Sequence, residues 1–212
     1  FELYKLLKDE LLDINHLDKI VSAFDEIHST QTTINIEPTD LYENYMGKLK
    51  KRIENTSEYP FEDSSYLISI IDPIIKDYLF SSEMKIAGFI HGDPWFSNTM
   101  LDLKSNIKFL DMKGDIAGKL TTNGDPLTDY SKIMQSLYGF DYIINEDDFD
   151  EDYLISLRRY FVDRIKNKGY QEKHINSITA CLIAKTISFF ESGSPHKKSI
   201  WNLAIKLARQ LK

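Results

Sequence analysis

Two aspartates and an asparagine stand out for their types and spacing. Phe89-Ile90-His91-Gly92-Asp93-Pro94-Trp95-Phe96-Ser97-Asn98 leads into an apolar stretch, and a second one ends at Lys108-Phe109-Leu110-Asp111. Residues 99–103 and 107–110 read as strands around the turn Lys104-Ser105-Asn106. A hairpin turning about Lys104-Ser105 sets Asn98 opposite Asp111, and a register shifted by a residue or two still leaves both at its open end beside Asp93. Two carboxylates and an amide oxygen suit magnesium, a hard cation held by one or two carboxylates, waters and substrate phosphates. With Asp111 and Asn98 as ligands, Asp93 is left to orient an acceptor hydroxyl and take its proton late. That division of labour fits phosphoryl transfer, which rewards positioning and electrostatics more than strong basicity. The alternative is that Asp93 and Asp111 only cap turns at strand ends.

The elements around this centre are mainly helical. Leu17, Ile20, Val21, Phe24, Ile27 and His28 recur at helical spacing, with Asn15 placed to cap the start. After a polar stretch over 29–39, Asp40 is expected to begin a helix bearing Tyr42, Tyr45, Leu49 and Ile53. Leu67, Ile70, Ile71, Ile74, Ile75, Tyr78 and Leu79 form the clearest amphipathic stripe, which Pro73 should kink or shorten. At 86–90 the period changes to a short apolar run leading into His91. A glycine-bearing loop over 114–124 follows the hairpin, and helices are expected near 129–138, 152–166, 172–189 and 195–211. The fold class is α+β, mostly α-helical, with one small β-hairpin at its middle.

Composition narrows the function classes. The 212 residues are 42% hydrophobic and 12% aromatic, enough for a sizeable core. No apolar run approaches the ~20 residues a membrane span needs, and no signal peptide is visible, so a cytoplasmic enzyme is expected. The net charge of −7, from 26 basic and 33 acidic residues, argues against broad binding to a nucleic-acid backbone. A single cysteine, Cys181, excludes a disulfide framework and a multi-cysteine metal site.

His91-Gly92-Asp93, four residues, Asn98, then Leu110-Asp111 resembles the catalytic and metal-binding loops of the aminoglycoside phosphotransferase and choline kinase family, which has a protein-kinase-like fold. The resemblance implies Asp93 as catalytic base, Asn98 and Asp111 as magnesium ligands, His91 as a structural residue of the loop, and ATP as co-substrate. Upstream, Phe24-Asp25-Glu26-Ile27-His28-Ser29 looks like the end of the helix that follows the hinge in this family. Downstream, Gly124-Asp125-Pro126-Leu127-Thr128-Asp129-Tyr130-Ser131-Lys132 is similar to the family's Gly-Asp-Pro segment, which implies Asp125 and Asp129 as supports of the site. There Asp129 would cap a helix and brace the catalytic loop through backbone N–H groups. The likeness covers residues 18–142, more than half the chain.

Met112-Lys113-Gly114 departs from the aromatic and acidic residues usual after the metal-binding aspartate. It looks more like a bacterial branch found beside capsule and surface-polysaccharide genes. Lys113 is a candidate contact for a phosphate or sugar acid, and otherwise a solvated loop lysine. No glycine-rich phosphate loop precedes residue 18, so the chain reads as a C-terminal catalytic lobe, 1–212, lacking the ATP-binding lobe and weakly active alone.

Trp95, Phe96 and Tyr138 are candidate walls for the acceptor, with core packing as the plainer role. The acidic run from Glu146 through Asp152 reads as a solvated helix entrance, and His16, His174 and His196 lack metal-ligand spacing. The expected reaction is ATP-dependent transfer to a hydroxyl of a sugar or related precursor. Choline, ethanolamine or an aminoglycoside is the second acceptor class. A noncatalytic kinase-like binding module is the alternative of another kind, and a metal hydrolase using His91 and Asp93 comes last.

Overall fold

The computed structural model describes residues 1–32, 34–55, 63–191 and 193–212. Helix α1 (Leu3–Lys8) precedes α2 (Ile14–His28), whose inward stripe is Leu17, Ile20, Val21 and Phe24. The cap of α2 is Asp13, not Asn15: Asp13 accepts from His16 N at 3.1 Å, and Asn15 Nδ2 donates back to Asp13 at 3.0 Å. Asp13, just outside the helix, reaches the orphan N–H groups that Asn15, already inside the first turn, cannot.

The next helical stretch begins at Pro38 rather than Asp40, because Glu37 and Asp40 form a capping box and proline suits the first turn. It runs through α3 (Pro38–Tyr42), a π-helical turn (Glu43–Gly47) and α4 (Lys48–Asn55). The π turn buries Asn44 and Tyr45 together against the body of the fold. Helix α5 (Ser64–Leu79) continues through Pro73 and is not shortened by it. Pro73 and Ser69 are both exposed, so the carbonyl that loses its partner faces water.

Residues 86–90 form no strand, only a bridge of Ala87 to Gly124. The hairpin pairs β1 (Thr99–Leu101) with β2 (Ile107–Phe109), antiparallel, with Thr99 opposite Phe109. Asn98 is therefore level with Leu110, and Leu110 N donates to Asn98 O at 2.9 Å. The register is one residue from the expected Asn98–Asp111 pairing. Asp102 sets it, accepting from Lys104 N and Asn106 N at 2.8 and 2.9 Å and drawing the turn toward Asn106. The 114–124 loop contains a second hairpin, β3 (Asp115–Ile116) with β4 (Lys119–Leu120).

Helices α6 (Leu127–Leu137), α7 (Phe140–Asn145), α8 (Glu151–Lys166), α9 (Glu172–Thr186) and α10 (Pro195–Arg209) complete the chain. The expected helix to 189 turns 3-10 over Ile187–Phe189. Every residue of α6 is buried, polar ones included. A helix without a wet face must satisfy its polar side chains inside the fold; Asp129 and Ser136 do so against the His91–Asn98 loop and Ser131 against α9, while Gln135 Oε1 is left without a partner. The structure is α+β and mostly helical. Among the described residues, no helix is long and apolar enough to cross a membrane.

Candidate active site

The loop carrying Asp93 is fixed from α6. Asp129 accepts from His91 N at 2.9 Å and from Gly92 N at 2.7 Å, and His28 Nε2 lies 2.8 Å from the same carboxylate. Ser136, two turns on, accepts from Phe96 N at 2.9 Å. Asp129 does not cap α6, where it is the third residue; its carboxylate is spent entirely on the loop and His28. Gly92 is needed for the turn, with φ +81° and a would-be Cβ 3.1 Å from Lys113 Cβ. His91 is buried, with Asp93 N donating to its Nδ1 at 3.3 Å. Burial holds its imidazole below the usual histidine range despite the nearby Asp129 and Asp93.

Asp93 itself is ion-paired. Lys132 Nζ lies 2.8 Å from Asp93 Oδ1, the lysine side chain 11% exposed and the aspartate 37%. Asp129, Lys132 and Ser136 thus occupy one face of α6, at the three- and four-residue steps that align side chains along a helix. Asn98 Nδ2 donates to Asp93 O at 3.0 Å, which commits its nitrogen and leaves its oxygen for another partner. Asp111 follows β2 at φ +55°, a left-handed conformation that aspartate tolerates, and is exposed. The hairpin is tied back by Phe24, stacked between His28 and Phe109 with centroids 5.3 and 5.0 Å away.

Among the described residues, no three His, Cys, Asp and Glu side chains gather as a metal cage. An exposed carboxylate and an amide oxygen make a smaller donor set. It fits magnesium, whose remaining ligands are waters and substrate phosphates, and does not fit a cation that needs a cage made of protein alone.

Beside Asp93 opens a cavity of 160 Å³ whose wall carries Lys48, Arg52, Lys113, Lys132 and Lys185. Its carboxylates are Asp93 and Asp115, the latter 2.8 Å from Lys48 Nζ. Lys185 is buried on α9, donates to Asn44 O at 2.9 Å and lies over the Tyr45 ring. Burial pulls its ammonium down to about 7. Lys113 is exposed at the rim, yet the protein around it and the cations Lys48 and Lys132 lower it too. An apolar cleft adjoins, lined by Trp95, Phe140, Phe189 and Phe190, and shares Asp93 and Lys132 with the basic cavity.

The remaining candidates divide. Trp95 and Lys113 reach these cavities. Phe96 does not: it is fully buried, because the 3-10 turn Phe96–Asn98 points it into the core. Tyr138 lies in a separate cleft on the α8 side, its OH donating to Asn176 and its ring under Arg158. Asp125 is fully buried and accepts from Tyr45 OH, Tyr78 OH and Leu127 N at 2.8, 2.7 and 2.9 Å. Burial raises its carboxyl to about 6. The acidic run serves structure, with Asp150 capping α8 and Asp147 meeting Lys8. Sequence reasoning missed Lys132, Lys185, Lys48 and Arg52. For Lys132 a signal existed, its three-residue spacing from Asp129 on a helix. For the others there was none: Lys48 and Arg52 share α4, and nothing in the sequence joins that helix to Lys185 on α9. No family model matches this chain, and no curated protein matches it in sequence.

Proposed function

We propose that this chain is the catalytic lobe of an ATP-dependent, magnesium-assisted kinase of protein-kinase-like fold that phosphorylates a hydroxyl of a sugar or related precursor. The observation that carries the reading is Asp93, half-exposed at a cavity, paired with Lys132 and held by a loop that Asp129 fixes at its backbone. The acceptor hydroxyl docks against Asp93. Its oxygen bonds the γ-phosphorus as the bond to the β,γ-bridging oxygen breaks, ADP leaves, and the hydroxyl proton passes to Asp93 and then to water. Lys132 holds Asp93 in orientation before transfer and offers a cation to the transferred phosphoryl group. Asn98 and Asp111 would hold magnesium, which supplies charge neutralisation for the nucleotide's phosphates. The nucleotide would also need the upstream lobe, which makes that lobe a partner of this one, and the surface-glycan role belongs to the same reading.

A choline or aminoglycoside acceptor would need acids or aromatic faces around its cation. The cavity beside Asp93 offers mainly lysines instead, with Phe189 as its one ring among the described residues, and Trp95, Phe140 and Phe190 line the adjoining apolar cleft. The test is a product screen of the full-length protein with ATP and magnesium against sugars, sugar phosphates, amino alcohols and aminoglycosides. Transfer to any hydroxyl, lost in Asp93→Asn, is the expected result. No transfer and no nucleotide binding would leave a binding module as the better description.

A further inference from the structure

The cavity beside Asp93 is built from two kinds of group. Cations reach it from separate elements: Lys48 and Arg52 from α4, Lys113 from the loop after β2, Lys132 from α6 and Lys185 from α9. In a chain of net charge −7 this convergence is local, and the wall's carboxylates, Asp93 and Asp115, are already taken by Lys132 and Lys48. Like charges drawn together from four places repel one another, and holding Lys185 in the interior adds a desolvation cost. An anion in the cavity would relieve both.

The second kind of group is neutral. Asn44 and Asn123 line the same cavity, 7% and 1% exposed, and the Oδ1 atom of each is buried with no hydrogen-bond partner. The nitrogen of Asn123 is committed to Ile34 O at 3.1 Å, which leaves its oxygen as an acceptor without a partner in the wall of the cavity. A buried acceptor left unpaired costs on the order of 1–3 kcal/mol. A ligand hydroxyl would satisfy it by donating, as a fully ionised phosphate oxygen would not.

We infer that the acceptor substrate is an anionic polyol, a phosphorylated or carboxylated sugar or sugar alcohol, its anionic group held by Lys113 and Lys185 and its hydroxyls by Asn44 and Asn123. This deepens the kinase reading and rests on it for the word acceptor, while the binding site stands on the cavity alone. The product is then a sugar derivative with two anionic groups, and a reaction that phosphorylates or oxidises the sugar must come first.

Equilibrium binding to the full chain without nucleotide tests the site. Glucose 6-phosphate, glycerol 3-phosphate and glucuronate are titrated calorimetrically against glucose and glucosamine. At least one anion binds about tenfold or more tightly than the neutral and cationic sugars, and its affinity falls with salt. Lys185→Gln and Lys113→Gln each weaken it about tenfold. Lys113 is exposed, so its variant folds even where the buried Lys185 variant does not, and thermal melts separate the two cases. Asp93→Asn binds the anion at least as well, because the cavity wall loses a negative charge. Equal binding of glucose or glucosamine, or unchanged affinity in Lys113→Gln, overturns the inference. So does competition between the anion and magnesium with a nonhydrolysable ATP analogue, which would make the cavity the donor's phosphate site. Anion binding with no transfer from ATP by the full-length protein sinks the kinase reading and keeps the site. Transfer to glucose or glucosamine with no anion bound does the reverse.

Discussion

Lys132 Nζ and Asp93 Oδ1 lie 2.8 Å apart, so the candidate base of the loop and a cation from the middle of α6 form one electrostatic unit. The lysine is the more buried partner, at 11% against 37% exposure. Removing the carboxylate therefore leaves the worse orphan, a largely buried ammonium.

The first prediction separates chemistry from folding on that basis. Asp93→Ala should abolish transfer and also lower stability. Asp93→Asn should abolish transfer while keeping a hydrogen-bond acceptor for Lys132, at a cost within about 1 kcal/mol. Lys132→Met should lower kcat roughly a hundredfold with a smaller change in KM for ATP. Steady-state kinetics beside urea unfolding gives both numbers, and normal turnover by Asp93→Asn would remove Asp93 from the mechanism.

The second concerns the brace. Asp129 serves His91 N and Gly92 N with its two oxygens and His28 besides. An asparagine has one acceptor oxygen, and its amide N–H groups would confront a backbone donor. Asp129→Asn should cost about 2–4 kcal/mol and lower kcat more than KM, read by chemical denaturation and by rates per folded molecule. Full kcat per folded molecule would mean the loop keeps its shape without the brace.

Much of this arrangement was legible in the sequence because it is local. The His91–Asn98 segment, the hairpin and the Gly124–Lys132 segment each bring their own side chains to the centre. The hairpin's register was off by one because an Asx turn at Asp102, not the midpoint of the apolar runs, decides which residues pair. Helix α7 went unseen: Gly139 at φ +90° separates it from α6, and its six residues are too few to show a helical period. The basic cavity was illegible for another reason. Lys48, Arg52 and Lys185 are ordinary cations on polar or mixed stretches, and only the packing of α4 and α9 around the loop sets them beside Lys113, the one cation the sequence singled out.

Asn98 and Asp111 give the third prediction. Asp111→Asn preserves a residue type suited to φ +55° and removes the charge, so the fold should stay within about 1 kcal/mol of the parent. The magnesium concentration for half-maximal turnover should rise at least tenfold in Asp111→Asn and less in Asn98→Ala, which loses a neutral ligand. A magnesium titration of ATP turnover decides it. Unchanged dependence in both variants would place the metal elsewhere.

The fourth prediction follows from Lys185. Its ammonium has an ordinary value of 10.5 and sits at about 7 in the fold, chiefly through burial and then through Lys113, Lys132 and Arg52, with Cys181 acting the other way. Tyr45 covers it from the π turn, and Asn44 O accepts a hydrogen bond from it. Between those two values the unfolded chain carries a proton on this lysine that the folded chain does not. Stability should therefore rise with pH from about 7 toward 10.5 and be lowest, for this group, below 7. The rise is on the order of a few kcal/mol, moderated by other groups. Lys185→Met should flatten it, and urea midpoints across that range measure both slopes. A bound anion favours the charged lysine, so saturating glucose 6-phosphate should flatten the parent's slope in the same way while leaving Lys185→Met unaffected. An equal slope in parent and variant would show that Lys185 stays charged in the folded protein.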